Sequence, residues 1–150
     1  MLVAPGFQPI EALAVLPAGN AVTGGEAVVI WQLPFRRVRD ARGEPGVQMR
    51  AGICDGEQWH VHVLHHPGRH VVQALAALPE NRLASGDAGG AVLIWDTDNG
   101  ELLRTLSEPE PVQRGVGITT LVVVGAGTEL ASATDSDEGC VTLYAINCYL

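Results

Sequence analysis

The sequence predicts an all-β chain of repeated antiparallel units, and three observations carry that prediction. The first is internal repetition. Residues 72–95 (VQALAALPENRLASGDAGGAVLIW) are echoed upstream by residues 10–31 (IEALAVLPAGNAVTGGEAVVIW) and downstream by residues 118–144 (ITTLVVVGAGTELASATDSDEGCVTLY). Leu13 and Leu75 stand 62 residues apart, as do Pro17 and Pro79. Trp31 and Trp95 stand 64 apart, because the middle hairpin carries two extra residues. The second observation is punctuation, since Pro79-Glu80-Asn81 and Asp87-Ala-Gly-Gly90 supply the residue types that tight turns and hairpins require. The third is the apolar runs themselves, which at four to eight residues have the length of strands.

Taken in order, residues 10–16, 20–24 and 27–31 form the first three strands of unit one. Residues 34–46 (PFRRVRDARGEPG) break the pattern with four of the nine arginines, two prolines and two glycines, the composition of a solvated loop. A basic patch for an acidic ligand is the sharper reading of the same residues. Residues 59–64 then read as the outer strand of unit one, displaced by this insertion. Asp55-Gly56-Glu57 precedes them as Asn99-Gly100-Glu101 precedes residues 102–106. Unit two follows with its own four strands. Residues 107–117 (SEPEPVQRGVG) connect it to unit three, which stops short of a full outer strand.

The stretch LASGD…GAVLIWD followed by TDNGELLRTL resembles a WD-repeat blade, most clearly over residues 72–106 and in degenerate form over 118–144. The resemblance implies a partial β-propeller of about three WD-like blades, the first with an insertion: about 7–66, about 71–106 and about 116–150. It also implies a non-catalytic scaffold for protein partners. The sequence departs from the family pattern in three ways. Only Trp95-Asp96 keeps the final dipeptide, since Gln32 and Ala145 replace the aspartate elsewhere. Gly89 stands where the family's structural aspartate is expected, with Asp87 two residues earlier. No Gly-His pair precedes a first strand, although His66 and His70 lie near that place before Val72. The hydrogen-bond network typical of the family is therefore expected to be incomplete, leaving apolar packing to carry the blades. Propellers close with four to eight blades, so three units predict either a piece of a larger propeller or an arc that pairs with another.

Composition narrows the function classes. The net charge is −8, from 17 acids against nine bases, every base being arginine. An acidic chain is a poor match to a phosphate backbone, so nucleic acid is not expected as a partner. No window reaches the ~20 apolar residues of a membrane span. Cys54, Cys140 and Cys148 are odd in number and share no C-x-x-C spacing, which fits a reducing intracellular compartment better than a disulfide framework.

The chemistry-bearing patterns are few. All five histidines lie between His60 and His70. On a strand, His60 and His62 share a face about 6–7 Å apart, a spacing that fits a shared metal ion, with His65 or His66 as a third ligand. The competing reading is an outer strand whose polar face meets solvent. Ser85 is not in a G-x-S-x-G elbow, and a chain without lysine has no Walker site. No cofactor is expected. The partner surface is instead placed on one rim, where Glu26, Asp87, Asp135, Asp137 and Glu138 mark the second hairpins and Glu108 and Glu110 an outer connection. Such a rim favours a basic peptide; the plainer reading is that each acid caps its own turn. Three roles stay open: a protein-interaction scaffold, a metal-binding enzyme using the histidines, and a structural arc that completes another propeller or self-associates.

Overall fold

The computed structural model describes residues 9–32, 37–39, 45–47, 60–64, 66–68, 70–106, 116–136 and 141–146. They form an all-β chain of antiparallel sheets. The first sheet has the order β1-β2-β3-β6, from β1 (Ala12–Val15), β2 (Ala21–Gly24), β3 (Val28–Gln32) and β6 (His60–Leu64). Between β3 and β6 in the chain, β4 (Arg37–Arg39) and β5 (Pro45–Val47) pair with each other. The second sheet runs β7 (Val72–Leu78), β8 (Arg82–Asp87), β9 (Val92–Asp96), β10 (Leu102–Leu106). The third holds β11 (Ile118–Val124), β12 (Glu129–Thr134) and β13 (Val141–Ala145). His60–Leu64 thus takes the outer place of the first sheet, antiparallel to β3, across the long insertion.

The three sheets stack face to face in chain order. Period-two alternation sends Val22, Val28, Ile30 and Leu64 toward the second sheet, where with Leu16 they meet Val72, Leu83, Leu93 and Trp95 in one core. The opposite face of the second sheet offers Ala74, Ala76, Leu78, Ala84, Val92 and Ile94 to Ile118, Leu121, Leu130 and Tyr144 of the third. A strand buried on both faces cannot alternate in polarity. That is why β9 reads Val-Leu-Ile-Trp without a break, while the outer strand β10 leaves Leu102 and Leu103 in solvent. Burying Leu83, Leu93 and Trp95 contributes roughly 1.5–3 kcal/mol each.

At the β8–β9 hairpin only Gly90 takes a positive φ, +89°, and its N–H donates to the Asp87 carbonyl. Gly89 does not, and a Cβ at that position would lie 2.4 Å from Cδ2 of the exposed His70 ring. At the β2–β3 hairpin, neither Gly24 nor Gly25 has a positive φ, and a Cβ on Gly25 would lie 2.4 Å from the Pro9 carbonyl oxygen. Hairpin conformation, the expected cause, therefore explains one of these four glycines. Close approach of backbone explains Gly25, while Gly89 meets only the exposed His70 ring.

Candidate functional site

In the first two sheets the hairpins between second and third strands share one end of the stack. The Gly25 carbonyl accepts from Val72 N–H at the start of β7. One sheet on, Gly90 lies against the Val116 carbonyl just ahead of β11. Each hairpin therefore abuts the entry of the next sheet's inner strand. This places the β2–β3 and β8–β9 connections on a common side, and Asp135, at the end of β12, donates its N–H to the Gly117 carbonyl next to the second of them.

Of the acids expected on that rim, Glu26 and Asp135 are exposed. Asp87 is not: it is 1% exposed, as the plainer reading of a turn-capping acid requires. One of its oxygens, Oδ1, accepts from the N–H groups of Gly89 and Ala91, both at 2.9 Å. The other, Oδ2, lies 3.5 Å from Nε2 of His66. A carboxylate that closes its own hairpin in this way satisfies two backbone donors, and no lone pair is aimed at solvent. Asp137, Glu138, Glu108 and Glu110 lie outside the described residues.

Asp87 is part of a buried polar line that the sequence reading did not foresee. Trp95 Nε1 donates to Ser85 Oγ at 2.8 Å, and the Trp95 ring lies 6.2 Å from that of His66, tilted by 47°. The His66 ring is 3% exposed at its side chain; Nδ1 accepts from Gly68 N–H, which leaves the ring proton on Nε2, facing Asp87. In the second sheet the Ser85–Trp95 hydrogen bond and the Asp87 hairpin bonds are made, but no hydrogen bond joins them: His66, which lies between, faces Asp87 at 3.5 Å with its Nε2 unpaired among the described residues. In the first sheet, Trp31 Nε1 donates to Thr23 Oγ1 at 3.0 Å. The third sheet brings Ser132 and Tyr144 to the matching register, both buried. The sequence signal for this pairing is a hydroxyl residue at the same place in the middle strand of each sheet: Thr23, Ser85 and Ser132.

Burial pushes the His66 imidazole below its ordinary value of 6.5, against the pull of the Asp87 carboxylate; His70 nearby lowers it further. The unfolded chain therefore takes up a proton that the folded chain resists. Stability is fully present above pH 6.5 and is lost as the pH falls through the lower folded value. Urea midpoints measured from pH 8 to 5 are expected to fall more steeply for the parent than for His66→Gln. Parallel curves would show that His66 titrates as it does unfolded.

The other histidines divide. His62 pairs with Ile30 and shares its face, so it points to the second sheet: a Cβ on Gly100 would lie 2.6 Å from its ring. The expectation that this strand's polar face meets solvent is corrected for His62, which is half-buried. The His60 side chain and His65 lie outside the described residues. Among the described residues, no three His, Cys, Asp or Glu side chains converge in a way that would hold a metal ion. No helix among them is long and apolar enough to cross a membrane. No protein-family model and no curated protein matches this chain.

Proposed function

We propose that this chain is a non-catalytic interaction scaffold of the WD-repeat type, a partial propeller whose hairpin end receives a basic peptide segment. The observation that carries this reading is the repeated pairing of a buried hydroxyl with a third-strand aromatic. Thr23–Trp31 and Ser85–Trp95 make it in successive stacked sheets. In the second sheet the His66 ring lies beside Trp95 and faces the buried Asp87 carboxylate, an arrangement that supports the WD-repeat resemblance. Rigid sheets with short hairpins on one end form a platform, and loops on a rigid scaffold are where binding residues concentrate. Glu26 and Asp135 face solvent on that end of an acidic chain. An intracellular setting belongs to the same proposal and rests on the cysteine pattern.

The test uses a labelled arginine- and lysine-rich peptide and a sequence-scrambled acidic control. Affinity for the basic peptide is expected to fall as salt is raised. It should fall again when Glu26 and Asp135 are changed to Gln and Asn together with Asp137→Asn and Glu138→Gln. Unchanged binding with lowered stability would show the acids to be turn residues and would remove the rim.

A further inference from the structure

The end faces of the stack hold exposed apolar residues at positions that its interior buries. Repeat by repeat, Leu13 and Val15 of β1 correspond to Leu75 and Ala77 of β7, which pack into the core between the first and second sheets. Leu13 and Val15 are 66% and 63% exposed. On the same face Ala21, Val29 and Trp31 are already buried, so the open part is the β1 strip. At the other end, Val122, Val141 and Leu143 correspond to Ala76, Val92 and Ile94 by strand register. The latter three are buried against the third sheet; the former are 50%, 67% and 63% exposed. One end is thus the receiving half of an interface that the chain makes twice internally, and the other end is the presenting half.

We propose that a second copy of this chain covers these faces, head to tail, so that two chains close a ring of six sheets. The inference rests on the propeller reading above. Inside the chain, neighbouring sheets meet through their inner strands, β1 and β2 against β7, and β7 and β8 against β11. Continuing that stack sets β11 of one copy, with Val122, against Leu13 and Val15 of the other. Heterologous contacts of this kind form a ring when the rotation closes and a filament when it does not. The three stacked sheets of two copies, taken together, make six, a number within the four to eight blades of closed propellers. A two-fold axis then relates two identical interfaces, and neither apolar end is left in water.

Sedimentation equilibrium of the whole chain, from low to high micromolar, is expected to give twice the chain mass. Leu13→Glu and Leu143→Glu each spoil one half of every interface, so each variant alone is expected to run as a monomer with its β circular dichroism retained. Mixed, they are expected to associate again, because one interface of the pair then joins two unaltered faces. Leu13→Thr and Leu143→Thr serve the same design if the charged variants fail to fold. A monomeric parent, an open-ended polymer, or a mixture that stays monomeric would overturn the proposal. Such a result leaves the propeller reading standing if Trp95→Ala is still strongly destabilising; loss of that effect ends the propeller reading itself.

Discussion

Replacing Trp95 with alanine is expected to cost about 3–5 kcal/mol of folding stability, the range for removing a buried large aromatic. The side chain is 1% exposed and sits in the core between the first and second sheets, among Leu64, Leu83 and Leu93. Its loss removes contacts from both sheets at once and leaves Ser85 Oγ without its donor. Trp95→Phe separates the two causes. It keeps most of the apolar area and deletes the indole N–H, so it is expected to cost about 1–3 kcal/mol, the range for stranding a buried polar group. Urea denaturation of the parent and both variants checks the order. A Trp95→Ala chain as stable as the parent would mean that the sheets do not stack as described.

Asp87→Ala is expected to be the other large loss, about 2–5 kcal/mol, because it strands several groups together. Two backbone N–H groups of the β8–β9 hairpin lose their acceptor, and His66 loses the carboxylate facing its Nε2. Asp87→Asn keeps a carbonyl oxygen for the hairpin and removes the charge, so it is expected to recover much of that stability. If alanine and asparagine behave alike and both are mild, Asp87 does not hold the turn. If both leave stability intact but abolish binding of the basic peptide, Asp87 belongs on the rim after all.

Much of the fold was legible in the chain itself. The spacing of Leu13 to Leu75 and Trp31 to Trp95 marks repeated units, and strand periodicity with turn residues marks their strands, because both follow from local backbone preferences. The match of Asp55-Gly56-Glu57 to Asn99-Gly100-Glu101 located the outer strand of the first sheet across its insertion. What the chain alone did not disclose is where polar atoms come to rest once sheets stack. Asp87 and Asp135 look alike in sequence, each beside a hairpin. One is sealed by Gly89, Ala91 and His66, while the other is exposed. His66 reads as one of five clustered histidines until the packing of the second sheet brings it to Asp87 and Trp95, 21 and 29 residues later. Leu13 and Leu75 are the same residue at the same place in the repeat. Among the described residues only Leu75 has a sheet packed on its face, so burial here is decided by the neighbour that each unit acquires and not by its own sequence.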